Sequence, residues 1–184
     1  MKEFESFYEI ELKALLSKDQ YDSLSELLNK YYVKVNDDVI HTTRYRPGDV
    51  RLRYSNRIFE LVCKDGDPTK ICRKELKLSF ESKDEYDKMF DIFTELKLQS
   101  DPSWIKHKQE FEYDLDGQKY IICLQDIKNF AYVLEVEILT IEPNMPLHEK
   151  NIRTIFANLK VQAIDPKEFN DKITRYIWQN KKWL

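Results

Sequence analysis

The chain has 184 residues, 42% of them hydrophobic and 34% charged, with a net charge of −3. That length suits one domain with its own hydrophobic core and is short for two, so residues 1–184 are read as a single domain. The near-neutral balance argues for neither nucleic acid nor acidic lipid as a partner, and any positive patch has to be local.

In chain order, the first strand is predicted over 5–15. Ser17 and Gln20 then form an S-x-x-Q capping box, followed at helical spacing by Tyr21, Leu24, Leu27, Leu28 and Tyr31. Strands follow near 31–36, 39–46, 49–55, 57–64 and 71–80. Loop or helix end is the alternative reading of the 31–36 segment. Turn signals lie in "YRPGDV" and "CKDGDPTK". Ser82 with Glu85 makes a second capping box, ahead of Tyr86, Met89, Phe90, Phe93 and Leu96, and "LQSDPS" reads as a loop. Two strands, 104–114 and 118–126, flank a hairpin turn centred on Asp116-Gly117, and a last strand covers 131–141. A short helix around 148–158 carries Ile152, Ile155 and Phe156. Asp165-Pro166 reads as N-cap and first residue of a helix with Phe169, Ile173, Tyr176 and Ile177. The helix aromatics Tyr21, Phe90, Phe93, Phe169 and Tyr176 are assigned to the core. Trp178 and Trp183 either pack back on the domain or mark a partner surface.

Only three glycines occur, and there is no GxGxxG or GxxxxGK[ST] run. If the protein handles phosphate, side chains have to do it. Cys63, Cys72 and Cys123 are widely spaced, without CxxC or zinc spacing, and read as reduced buried thiols of a cytoplasmic protein. His41, His107 and His148 are expected at the surface or in loops. The stretch "MKEFESFYEI" has no apolar run of a signal peptide, and nowhere are there 18 consecutive apolar residues.

Side chains two apart on a strand share a face. Glu9, Glu11 and Lys13 therefore share one, as do Arg51 and Arg53. So do Arg73, Glu75, Lys77 and Ser79; Lys106, Lys108, Glu110 and Glu112; and Glu135 and Glu137. A single charged face is ordinarily a solvated one. Five such strands with amphipathic helices to cover their apolar faces suggest a sheet curled on itself, its charged faces inward. Buried like charges are costly unless compensated, and here both signs are present on different strands. Such a pore suits a polyanion held by basic groups, with a hard divalent cation held by carboxylates.

The pattern resembles the CYTH superfamily, the triphosphate tunnel metalloenzymes, whose members include class IV adenylyl cyclases, thiamine triphosphatases and inorganic triphosphatases. The residues that carry the resemblance are the E-x-E-x-K strand Glu9-Ile-Glu11-Leu-Lys13, Arg51-Leu-Arg53, and "FELVCK" ending in Lys64. Glu75, Lys106 with Lys108, and the late Glu135-Val-Glu137 follow in order. Lys172-Ile-Thr-Arg-Tyr176 looks like the C-terminal lysine and tyrosine of the thiamine triphosphatase branch. The set spans roughly residues 7–176. The resemblance implies a mainly β (α+β) fold: an eight-stranded antiparallel β-barrel tunnel with helices packed outside. It implies Mg²⁺ or Mn²⁺ held by Glu9, Glu11, Glu135 and Glu137. It also implies a triphosphate gripped by Lys13, Arg51, Arg53, Lys64, Lys106, Lys108 and Lys172. Catalytic roles fall to Lys13, Glu75 and Asp126.

Two departures stand out. The middle acidic strand reads Glu75-Leu-Lys77 where many relatives have E-x-E. The family's L-D-x-V-x-G-L-G is "LQDIKNFA" here, so the family's Asp falls on Gln125 and Asp126 comes one residue later. A one-residue shift turns a strand side chain to the other face, so either a bulge brings Asp126 inward or its role is lost. The implied activity is metal-dependent hydrolysis of an inorganic, thiamine or nucleoside triphosphate. A class IV adenylyl cyclase and a non-catalytic binder of phosphorylated ligands are the alternatives. The expected partner is a small triphosphate, with neither membrane nor nucleic acid, in a monomer or homodimer.

Overall fold

The computed structural model describes residues 4–179; Trp183 lies outside them. The strands are β1 (Phe4–Leu16), β2 (Val33–Arg46), β3 (Asp49–Tyr54), β4 (Phe59–Lys64), β5 (Cys72–Ser79), the two-residue β6 (Gln99–Ser100), β7 (Trp104–Leu115), β8 (Gln118–Ile127) and β9 (Ala131–Thr140). The helices are α1 (Lys18–Tyr31), α2 (Lys83–Glu95), α3 (Met145–Asn158) and α4 (Pro166–Gln179).

The strand order β3-β4-β5-β1-β9-β8-β7-β2 is closed by pairing of β2 with β3, giving an eight-stranded antiparallel barrel to which β6 adds a short edge on β2. Closure leaves the eight barrel strands without a free long edge. Val33–Arg46 is one strand where the sequence reading has two, near 31–36 and 39–46, and Tyr31 ends α1. Val33 to Thr42 pair with β7 from Glu112 to Trp104, with a bulge between Lys34 and Asn36, so Asp37-Asp38 lies within a ladder and makes no turn. The Asp116-Gly117 hairpin is as expected, both residues at positive φ (52° and 71°).

The capping chemistry holds for α1, where Ser17 and Gln20 bond reciprocally. At α2 the Ser82 hydroxyl accepts from Glu85 N–H, while the Glu85 carboxylate accepts from Glu81 N–H, one residue earlier than a capping box requires. Asp165 Oδ1 accepts from the Lys167 and Glu168 amides and so caps α4. Helix α3 begins three residues before the expected start, because Asn144 caps it.

The core lies outside the barrel wall, between sheet and helices. Leu24 and Leu28 of α1 and Ile152, Ile155 and Phe156 of α3 pack on Ile10, Leu12, Ile122, Leu124, Leu134 and Val136. Burying each such aliphatic side chain contributes roughly 1.5–3 kcal/mol. Phe93 and Tyr86 of α2 pack against Leu52 and Phe80, whereas Phe90 is exposed rather than in the core. His148 is buried and bonded to the Tyr120 hydroxyl at 3.0 Å, not exposed as expected. Cys123 is buried, Cys63 and Cys72 are half-buried, and all three are free thiols. Trp178 is 44% exposed, with the Arg46 guanidinium 5.8 Å from its ring centroid. No helix among the described residues is long and apolar enough to cross a membrane.

Candidate functional site

Because Ile10, Leu12 and Ala14 face α1 and α3, the alternate residues Glu9, Glu11 and Lys13 point into the barrel. The same parity turns inward Arg51, Arg53, Arg73, Glu75, Lys77, Lys106, Lys108, Glu110, Glu135 and Glu137. Together with residues not anticipated they line a cavity of about 330 Å³, with nine basic and eight acidic side chains around it. Antiparallel alternation places the C-terminal ends of β1, β8, β2 and β4 at one mouth. Helix α4 lies across that mouth, contributing Phe169, Asn170, Ile173 and Ile177 to the lining. Its approach is fixed by the Ile164 N–H, which donates to the Lys13 carbonyl at 2.8 Å.

The carboxylates concentrate on β1 and β9. Glu9, Glu11 and Glu137 each bring an oxygen within 4.8 Å of the others, an arrangement of oxygen donors suited to a hard divalent cation. Burial, reinforced by neighbouring Glu9, pushes the Glu11 carboxyl up. Burial also drives Glu137 well above the usual carboxylate range, with Glu135, Glu9 and Glu11 adding to the rise. A dication among these acids would relieve the repulsion between like charges, so the residues present fit one.

Glu135 has a different setting. Burial pushes its carboxyl up, but Lys13, Lys108 and Lys106 outweigh this and hold it well below its ordinary range. Lys13 Nζ is 2.9 Å from Glu135 and also pairs with Glu11. Lys64 pairs with Glu9 and lies 3.2 Å from Glu75. Lys108 is 2.5 Å from Glu110 and 3.6 Å from Glu137. Arg53 donates to Glu60 at 3.3 Å, and Arg51 and Arg73 both bind Asp49, at 2.7 and 2.8 Å. Cys123 is wedged between acids, its thiol 3.6 Å from Glu137 Oε1 and 3.9 Å from Glu110 Oε1. Burial first, then these carboxylates, pushes that thiol well up, so it stays protonated.

Lys106 differs from the other lysines of the cavity. Its Nζ donates to Gln125 Oε1 at 3.1 Å, and no carboxylate pairs with it among the described residues. Burial, then Lys108 and Arg53, lowers its pKa to about 7.

Two expected site residues lie elsewhere. β8 pairs with β7 and β9 in unbroken register from Gln118 to Ile127. No bulge therefore turns Asp126 inward. Gln125 faces the cavity and Asp126 faces the Tyr21 and Tyr132 side of the wall, so the catalytic expectation for Asp126 is corrected. Lys172 pairs with Glu168 one turn back, 2.8 Å away on the exposed side of α4, while Phe169 and Ile173 take the side towards the cavity. It does not reach the other basic groups.

Asp49, Glu60, Arg44, Thr42 and Trp104 line the cavity without having been anticipated. Parity alone would have found most of them. Asp49 continues the alternation of Arg51 and Arg53, Glu60 that of Lys64, and Trp104 that of Lys106 and Lys108.

No protein-family model matches the chain, and no curated protein matches it by sequence. Solved structures share its fold. PH1819 from Pyrococcus horikoshii OT3 is 20% identical, with a TM-score of 0.67 over 84% of this chain and 92% of that one. A candidate adenylate cyclase from Bacillus halodurans is 15% identical, with a TM-score of 0.58 over 86% and 93%. HpAC1 from Hippeastrum, a candidate adenylyl cyclase described as having a dominant triphosphatase activity, is 13% identical, with a TM-score of 0.59 over 86% and 90%. The resemblance read from the motifs therefore holds at the level of the fold, and the fold leaves the reaction open.

Proposed function

We propose that this protein hydrolyses a triphosphate substrate inside the barrel with the help of Mg²⁺ or Mn²⁺. The observation that carries this reading is the convergence of buried carboxylates and basic side chains on one cavity inside the barrel. Three carboxylates converge from β1 and β9, and Arg51 and Arg53 of β3, Lys64 of β4 and Lys106 and Lys108 of β7 line the same cavity. Glu9, Glu11 and Glu137 would hold the cation, with Glu135 beside them, and once bound it supplies neutralisation of the charge on the phosphate oxygens.

The chain's own groups do the rest. Arg51 and Arg53 present planar forks that grip phosphoryl oxygens bidentately, and Lys13, Lys64, Lys106 and Lys108 act as point charges. Arg73 joins Arg51 on Asp49, which fixes both guanidinium planes. Lys13, held between Glu11 and Glu135, sits where the carboxylate cluster meets the cations and would contact the phosphoryl group that is transferred. Glu75 orients Lys64 from 3.2 Å. Catalysis in such a site is positioning and electrostatic stabilisation by preorganised charges.

A second reading, cyclisation of ATP to cyclic AMP and diphosphate, has support in the adenylate cyclase designations of the Bacillus and Hippeastrum proteins. A third, binding without turnover, draws on the replacement of an acid by Gln125. Incubation with tripolyphosphate, thiamine triphosphate and ATP, each with Mg²⁺ or Mn²⁺, and resolution of the products separates the three. Orthophosphate release supports hydrolysis, cyclic AMP with diphosphate supports cyclisation, and tight binding without product supports the binder.

A further inference from the structure

We infer that Gln125 and Thr42 form, with Lys106, a direct phosphoryl subsite that works without the metal, and that Gln125 rather than an acid at this position keeps the subsite open. The inference rests on reading the cavity as a triphosphate site and adds ligands that the family motifs do not supply.

The geometry starts from register. Thr42 on β2 pairs with Trp104 on β7, one inward step from Lys106, and Gln125 on β8 pairs with Lys108, one inward step on the other side. Thr42, Lys106 and Gln125 thus lie along one diagonal of the inner wall, and Arg53 stands directly opposite Thr42 on β3. Diagonal neighbours on a sheet are close enough for side chains to converge on one group.

Each of these residues has spare donor capacity. Gln125 spends its carbonyl oxygen on Lys106, which fixes its amide orientation. Its Nε2 is then buried with no partner among the described residues, in a side chain only 3% exposed. Thr42 Oγ1 is likewise buried and unpartnered, in a residue 2% exposed, and Arg53 Nε lacks an acceptor. Lys106 completes the set as the cavity lysine without a carboxylate among the described residues, whereas Lys13, Lys64, Lys77 and Lys108 each have one. Buried donors left without acceptors are rare and costly, and three of them beside a lysine whose partner is a neutral amide mark the place of a multivalent acceptor. A phosphoryl group, with its several anionic oxygens, supplies these acceptors together. The carboxylates that would hold a cation lie on β1 and β9, and the phosphoryl group on this patch is gripped by protein donors alone. A glutamate at position 125 would pair with Lys106, remove the amide donor and close the patch to an anion.

The test is calorimetric titration of tripolyphosphate in EDTA against wild type, Gln125→Glu, Gln125→Met and Thr42→Val, with thermal unfolding of each variant. Wild type is expected to bind without metal. Gln125→Glu should weaken that binding by at least about ten-fold while unfolding at the wild-type temperature or above. Gln125→Met and Thr42→Val should each weaken it by about three- to ten-fold. Wild-type affinity in both Gln125→Met and Thr42→Val overturns the inference whatever Gln125→Glu does, and leaves the triphosphate reading standing. Failure of wild type to bind tripolyphosphate with or without Mg²⁺ overturns both.

Discussion

Lys106 Nζ lies 3.1 Å from Gln125 Oε1, so a buried cation of the β7 wall faces a neutral amide. A neutral partner cannot offset the loss of hydration, and burial, Lys108 and Arg53 together bring the Lys106 pKa to about 7.

The consequence is a pH dependence of anion binding. Above pH 7 Lys106 is increasingly neutral in the free protein, and a phosphoryl group on it favours the charged form, so binding takes up a proton there. Affinity contributed by Lys106 is therefore fully present below about pH 7 and is lost as pH rises past it. The groups facing it are Lys108 on its own strand, Arg53 on β3, Glu135 on β9, and Cys123 and Gln125 on β8. Lys106→Arg keeps its charge throughout and serves as the reference. The ratio of wild-type to Lys106→Arg affinity for tripolyphosphate in EDTA should fall between pH 6.5 and 9, by roughly ten-fold per unit once well above the pKa. A flat ratio would remove Lys106 from the anion site.

Glu137→Gln should lower Mg²⁺- or Mn²⁺-dependent turnover by at least about a hundred-fold and leave the fold intact. Glu137 shares the carboxylate cluster with Glu9 and Glu11, and the substitution removes a ligand while placing a neutral amide where burial and the neighbouring acids already favour the neutral carboxyl. Thermal unfolding without metal should therefore be unchanged or higher. Full metal-dependent activity in this variant, measured by orthophosphate release, would sink the assignment of the cluster.

Asp126→Ala and Lys172→Ala should each keep kcat/KM within about two-fold of wild type, since surface changes of this kind usually matter little. Asp126 lies on the outer side of the wall and Lys172 is engaged with Glu168 at the surface. Arg51→Ala provides the contrast. It removes a bidentate donor and leaves Asp49 with Arg73 alone, and a loss of more than about ten-fold in kcat/KM is expected. A large loss in Lys172→Ala would show that α4 turns its exposed side to the substrate in solution.

Leu28→Ala should cost roughly 2–5 kcal/mol of stability, read by urea unfolding, without changing the cavity's chemistry. Leu28 is fully buried between α1 and the barrel's outer face, so its removal leaves a void in the largest apolar cluster. A change below about 0.5 kcal/mol would mean that α1 is not holding the wall.

Much of this arrangement is legible along the chain. The two-residue alternation of "YEIELKA" separates Glu9, Glu11 and Lys13 from Ile10, Leu12 and Ala14 whatever the fold, because a strand turns successive side chains to opposite faces. Caps such as Ser17 and Asp165 are local, and their helices start where the sequence places them. What alternation cannot say is which face is inside. That was decided by closure of β2 on β3 and by α1 and α3 covering the apolar side, contacts between residues distant in sequence. Register then chose the partners. Unbroken pairing across β7, β8 and β9 put Gln125 and not Asp126 into the cavity, beside a lysine two strand positions off its direct pair. Likewise Lys172 met Glu168 because α4 sits on the barrel with Phe169 and Ile173 inward, burying apolar area at the expense of a lysine that stays hydrated. The types of side chain on each face are thus properties of the strand itself, and the side chain each one meets is a property of the closed barrel.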